Sequence, residues 1–249
     1  MQIGIITAMP EESAALLRCA ESWDKQTFDR LTGYRFRHGS HSIVLIQGGM
    51  GFDNAARAAE TLLANVTPEL LISTGFCGAV APQLQVGDTV VACEYGIAGS
   101  TALESVPIPL PPIAREFSHQ QATAGARTFS SLFVSTPTVM NKNQVARLIP
   151  AEAPFPIVEM ESAAIAIVAV EHNIPYFAIR TVSDPRSEEL DFSLDEFCDS
   201  RMQLRIPKVL LTILKRPRII PQLMRLAKNS KIAASSLTTA FSSLLPSLH

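Results

Sequence analysis

Short apolar runs rich in β-branched residues alternate along the chain with stretches whose apolar positions recur at helical spacing. Ile3–Thr7 is the first such run and predicts a strand. It ends at Pro10-Glu11-Glu12-Ser13, after which Ala14, Ala15, Leu16, Leu17 and Cys19 predict a helix. Ile43–Gln47 predicts a second strand, followed by Gly48-Gly49-Met50-Gly51 and a helix from about Asn54 through Ala64. Leu70–Ser73 reads as a buried strand broken by Thr74-Gly75-Phe76-Cys77-Gly78. Val86–Cys93 reads as a strand entered through a turn, and Leu132–Ser135 as another. Between them Pro107, Pro109, Pro111 and Pro112 predict an irregular rim loop, because proline supplies no ladder donor and fits no helix interior. Glu159 to about Val170 predicts a buried helix of small and apolar residues, ending near His172-Asn173 before Pro175. Tyr176–Val182 is the last strong strand, stopped by Ser183-Asp184-Pro185, and Ser193-Leu-Asp-Glu196 has the form of a capping box opening one more helix.

Strands alternating with helices predict a single α/β domain, a mostly parallel, twisted central sheet flanked by helices, with both faces of the sheet buried. Ligands of such sheets gather beyond the carboxyl ends of the strands. That directs attention to Glu12, Gly48–Gly51, Gly75–Gly78 and Ser183-Asp184. No internal repeat is evident, and nothing in the first 200 residues reads as a linker.

The composition bounds the class. The chain has 249 residues, 47% of them hydrophobic and 18% charged, enough for one substantial core. Cys19, Cys77, Cys93 and Cys198 are scattered without zinc-ligand or disulfide-framework spacing, so neither metal nor cofactor is expected and a reducing, cytoplasmic setting fits. The amino end meets acids at Glu11 and Glu12 without a basic leader, unlike a signal peptide, and no apolar run of about 18 residues would span a bilayer. The net charge of −2 hides an asymmetry: residues 1–200 hold all 23 acids and 12 cations, whereas 201–249 hold 9 cations and no acid. An acidic body with few aromatics argues against a nucleic-acid partner.

Four carboxylates sit where the predicted elements can converge: Glu12 after the first strand, Glu159 and Glu161 around Met160, and Asp184 after the last strand. Such a set suits acid/base chemistry if burial separates the proton affinities of its members. Each position is equally open to a bland role, since acids near strand ends and helix starts often cap or face a helix dipole. Likewise Met160 fits ordinary core packing, Arg180 a structural ion pair, and Ser183 a strand terminus. The Gly48–Gly51 loop can cradle an oxyanion through its N–H groups or simply make a tight turn.

Ile-Gly-Ile-Ile-Thr-Ala-Met-Pro-Glu-Glu (3–12), Ser-Thr-Gly-Phe-Cys-Gly (73–78), Val-Gly-Asp (86–88), Val-Glu-Met-Glu-Ser-Ala-Ala-Ile-Ala (158–166) and Arg-Thr-Val-Ser-Asp (180–184) occur in an order that resembles the purine nucleoside phosphorylase and nucleosidase superfamily, most nearly its methylthioadenosine/S-adenosylhomocysteine nucleosidase branch. The resemblance covers about residues 1–200. It implies hydrolysis of the N-glycosidic bond of a 5′-modified purine nucleoside, with adenine as the base. Asp184 would protonate N7 of the leaving base, oriented by Ser183. Glu161 would bind the ribose hydroxyls and stabilise the sugar cation, with Met160 against the sugar and Glu159 holding the segment. Glu12, helped by Arg180, would position and activate water. Phosphorolysis with a phosphate co-substrate is the alternative within the family, and a noncatalytic nucleoside-binding module the alternative outside enzymes. The resemblance also implies a homo-oligomer, with a dimer expected.

Departures from the pattern matter. Phe76 stands where nucleosidases of the family carry a small serine, which with Gly78 would reshape the water or phosphate site. Val139-Met140 stands where the family has a base-stacking Phe-Ile pair. The proline-rich stretch implies a more open wall around the 5′ substituent.

The extension 201–249 is expected to form two short amphipathic helices broken near Pro217 and Pro221. Their cations and apolar faces would either pack on the acidic body or a second subunit, or contact an anionic membrane peripherally. The extension resembles that of hopanoid-associated superfamily members, which implies a lipid-bearing 5′ substituent.

Overall fold

The computed structural model describes residues 1–123, 127–187, 212 and 215–248. The helix expected at Ser193–Glu196 and the stretch 201–211 lie outside them.

Among the described residues, ten strands build one sheet. Its centre follows the predicted runs: β1 (Gln2–Thr7), β4 (His41–Gln47), β5 (Leu70–Ala79) and β10 (Tyr176–Asp184). β1 pairs in parallel with β4 and β5, and β10 in parallel with β5. These strands are buried along nearly their whole length because both faces are covered. Successive side chains go to opposite sides: Ile3, Ile5, Ile43, Leu45, Leu70 and Ile72 join one core, Ile6, Val44, Ile46 and Leu71 the other. Helices α2 (Phe52–Asn65) and α5 (Ser162–Glu171) cover the second core. Helix α1 (Pro10–Leu17) and the C-terminal helix α6 (Ile220–Leu244) cover the first.

The α/β layering stands, but the sheet is mixed. An edge meander, β2 (Trp23–Phe28) and β3 (Leu31–His38), runs antiparallel onto β4. On the other side β6 (Thr89–Ala98), β8 (Thr128–Ser135) and the short β9 (Ile157–Glu159) return to β5, while β6 also pairs antiparallel with β10. The pairings β5-β10-β6-β8-β9-β5 close on themselves, so this half is rolled into a small barrel. β7 (Leu103–Val106) hangs on β6.

Three expected boundaries move. β5 does not break at Thr74 but continues through Gly78, because β10 and β9 supply ladder partners to both its edges there. The helix expected from Glu159 begins at Ser162, since Glu159 is held in β9 opposite Ser135. The proline-rich stretch ends in a helix, α3 (Pro112–Thr123), whose first residue is Pro112, where its missing N–H costs nothing. Ala114 and Phe117 of α3 are buried.

Of the two breaks expected in the tail, near Pro217 and Pro221, only the first is present: residues 212 and 215 are helical and Pro217–Ile219 forms a 3-10 turn. Pro221 lies in the first turn of α6, a single 25-residue helix. Ala233, Leu237, Ala240, Phe241 and Leu244 of α6 are buried, and the helix packs chiefly against β10 and α1. Its first half is exposed, including Ile220, Met224 and Ile232.

Candidate active site

Pairing brings the carboxylates to one end of the sheet. Gly78 on β5 is bracketed by Val158 of β9 and Asp184 of β10. A β-bulge between Val182 and Asp184 turns the end of β10, a common device for aiming a side chain at a strand terminus.

Arg180, 1% exposed, is the hub. Its Nη2 lies 2.6 Å from Glu159 Oε2 and 3.2 Å from Glu161 Oε2. Nη1 donates to the Phe76 carbonyl at 3.2 Å, and Nε and Nη2 donate to Ser162 Oγ at 3.3 and 3.2 Å. Burial works against this cation, but Glu159, Glu161 and Glu12 outweigh it and hold the guanidinium above its ordinary value. Gly75 is required by close approach: a Cβ there would sit 2.7 Å from Arg180 Nη1.

Glu12, in the first turn of α1, is equally buried. Its Oε2 accepts from the N–H groups of Ala8 and Met9, and Oε1 from that of Phe76, each at 2.8 Å. It therefore ties the β1–α1 turn to β5. Burial raises its proton affinity; Arg180 and the three N–H groups oppose but do not cancel that rise.

Glu159 and Glu161 divide the start of α5. Glu159 Oε2 accepts from the N–H groups of Glu161 and Ser162 at 2.9 and 2.8 Å, while Oε1 takes a short hydrogen bond from Ser135 Oγ. Glu161 is the N-cap residue, and its Oε1 accepts from Gly51 N–H at 2.9 Å. The glycine loop thus does both things its sequence allowed: Gly49 and Gly51 turn at positive φ, and Gly51 meets an anion, one supplied by the chain itself. Burial, with Glu159 and Glu12 adding to it and Arg180 and Gly51 opposing, pushes the Glu161 carboxyl up to about 7.

Asp184 stands at the rim. Ser183 Oγ reaches Asp184 Oδ1 at 3.1 Å and the Cys77 carbonyl at 3.3 Å. Oδ2 forms a close ion pair with Lys142. Lys142, in the first turn of α4 (Lys142–Leu148), also donates to the Pro185 carbonyl at 2.7 Å. The sequence analysis did not single it out, nor Ser135 and Ser162, since a lysine or serine has no periodic or motif signal of its own.

The remaining predicted residues fall as follows. Phe76 contributes its backbone to the cluster while its side chain packs in the core with α1 and α6. Met160 is half-buried between the two glutamates. Val139 and Met140 are half-buried in the loop from β8 to α4, and Met140 packs against a third small core with Val134 and Val145.

The arrangement can supply a buried base, a carboxyl titrating near neutrality and a rim acid around one dry cation. The chain is 32% identical over 211 residues to the 5′-methylthioadenosine/S-adenosylhomocysteine nucleosidase of Anoxybacillus flavithermus, covering 79% of this chain and 91% of that one. To the enzyme of the same name from Actinobacillus succinogenes it is 32% identical over 212 residues, 79% and 91% of the two chains. In fold it is similar to the Neisseria meningitidis 5′-methylthioadenosine/S-adenosylhomocysteine nucleosidase solved with methylthio-immucillin-A, at a TM-score of 0.76, 23% identity and 99% of each chain. A family model matches residues 2–215 and, with the relatives, shows that the chain belongs to the phosphorylase superfamily.

Proposed function

We propose that this protein is a purine nucleosidase, hydrolysing the N-glycosidic bond of a 5′-modified adenine nucleoside such as 5′-methylthioadenosine. The observation that carries this reading is the convergence of Glu12, Glu159 and Glu161 on Arg180, with Asp184 at the same end of the sheet, in a chain about a third identical to enzymes named for that activity.

In this reading Asp184 delivers a proton to N7 as the bond from the base to C1′ breaks, and the bonding electrons leave with the base. Glu161 and Glu159 face the oxocarbenium-like sugar, where negative charge lowers the barrier. Glu12, with a proton affinity raised toward the working pH, takes the proton of the attacking water. Met160 lines the sugar, and Phe76, Gly78, Val139 and Met140 belong to the surrounding wall.

Hydrolysis is favoured over phosphorolysis by charge. Arg180 is already balanced by Glu159 and Glu161, and a phosphate dianion beside them would add repulsion in a dry site. Product chromatography after incubation with 5′-methylthioadenosine, with and without phosphate, tests the reading. Free base and free sugar in both samples are expected; phosphate-dependent sugar 1-phosphate, or no cleavage, would overturn it.

For its setting, the first half of α6 supports peripheral contact with an anionic membrane. Ile220, Met224 and Ile232 are exposed among Arg218, Arg225, Lys228 and Lys231. Under this proposal the basic extension 201–249 is distinct from residues 1–200 in function, and an adenosine carrying a 5′ lipid of the hopanoid class is the alternative substrate to 5′-methylthioadenosine. A cytoplasmic location fits the free thiols of Cys19, Cys77 and Cys93. The proposal includes self-association as a dimer, which sedimentation velocity tests.

A further inference from the structure

We infer that Lys142 is a specificity-determining residue of the base subsite, extending it to purines that carry an oxygen acceptor at the six position. The inference rests on the reading above, in which Asp184 faces N7.

The ion pair between Lys142 and Asp184 is built in. The Lys142 side chain is 12% exposed and that of Asp184 25%. The ammonium is anchored on the Pro185 carbonyl at 2.7 Å and lies 3.4 Å from the Asp184 carbonyl, so it follows the end of β10. Gly78 makes room for the pair: a Cβ there would fall 2.9 Å from Asp184 Oδ2 and 3.1 Å from Lys142 Cε. Lys142 opens the helix that directly follows the loop of Val139 and Met140, so the segment proposed to wall the base leads straight to the cation.

On a purine, N7 and the six-substituent share one edge. A group bonded to the carboxylate that serves N7 is therefore within reach of the six position. Lysine offers three donors and no acceptor. It gives nothing to a six-amino group, whose N–H bonds must find an acceptor such as Asp184 itself. A six-oxo group accepts from it in a charge-assisted hydrogen bond.

The proton balance is consistent with this. Before transfer Asp184 must carry the proton, which weakens its hold on the ammonium and frees the N–H spent on Oδ2 for the base oxygen. As the bond from C1′ to the base breaks, the proton passes to N7, the electron pair stays with the base, and Asp184 becomes a carboxylate again. Lys142 then re-forms its ion pair.

The test compares kcat/KM for 5′-methylthioadenosine and 5′-methylthioinosine in the wild type, Lys142→Met and Lys142→Arg, with folding checked by thermal melt. The wild type should cleave both. Lys142→Met should lower the inosine-to-adenosine ratio by about 10- to 100-fold, and Lys142→Arg should recover much of it. Calorimetric binding of free hypoxanthine and adenine should shift in the same sense, and Lys142→Gln replaces the Met variant if that one does not fold. An equal fall on both substrates, an unchanged ratio, or a wild type confined to the adenine substrate would overturn the inference while leaving the nucleosidase reading intact. Cleavage of neither would overturn both.

Discussion

The backbone N–H of Gly51 donates to Glu161 Oε1 at 2.9 Å, joining the N-cap residues of α2 and α5 across 110 residues of chain. The N-terminus of α2 therefore faces this carboxylate, which favours its charge, while the first amides of α5 are taken by Glu159 and Ser135. Burial is stronger, and with the neighbouring acids it leaves the Glu161 carboxyl near 7.

A pH dependence of stability follows. The folded state holds this proton more tightly than the unfolded chain, whose glutamates titrate near 4.5. The contribution is complete below 4.5 and is lost as the pH rises through about 7. Glu161→Gln keeps an acceptor for Gly51 without the titration. Urea midpoints measured from pH 5 to 8 should fall less steeply in the variant than in the wild type; parallel curves would show that Glu161 does not titrate there.

Glu12→Gln retains the shape of the side chain and an acceptor oxygen, but exchanges the other oxygen for an amide that meets backbone donors. Fold and sheet should persist with some loss of stability. Turnover should fall by about 10²- to 10⁴-fold, the range of a lost general base. Steady-state rates, with circular dichroism as the control for folding, decide it.

Much of this site was legible because its residues sit at the ends of elements that hydrophobic pattern marks plainly. Glu12 follows β1 and Asp184 ends β10, both strands opened by apolar runs in a sheet covered on two sides. β2 was not legible: five of its six residues are exposed and show no alternation, and its turn to β3 places Asp29 and Arg30 at positive φ without the glycine that would signal it. Glu159 looked helical because its strand has only three residues, fewer than any periodicity needs. Lys142 was silent because its meaning lies in Asp184, 42 residues on, and only the closing of the barrel brings the two together.

Asp184→Asn separates binding from chemistry. Asparagine can still accept from Lys142 through its oxygen, with its amide N–H donating to Ser183 Oγ, but cannot supply the proton. A loss of about 10²- to 10⁴-fold in kcat is expected, with a nucleoside analogue still binding by calorimetry. Near-normal turnover would remove Asp184 from the acid's role.

The two halves of α6 should respond to mutation in opposite ways. Phe241 is 1% exposed in the core shared by β1, β4 and β5, so Phe241→Ala leaves a cavity that the rigid sheet cannot close. It should cost about 3–5 kcal/mol of unfolding free energy, read from a denaturant melt. Met224 is 69% exposed, and Met224→Ala should stay within about 0.5 kcal/mol of the wild type. Deleting the tail would confound the two effects, because it removes core as well as surface. Lys228→Glu combined with Met224→Ala touches the exposed half alone. If that half meets an anionic membrane, the double variant should sediment less with phosphatidylserine vesicles at low salt while melting like the wild type. Equal sedimentation would leave α6 with a purely structural role, its cations balancing the acidic body they are packed against.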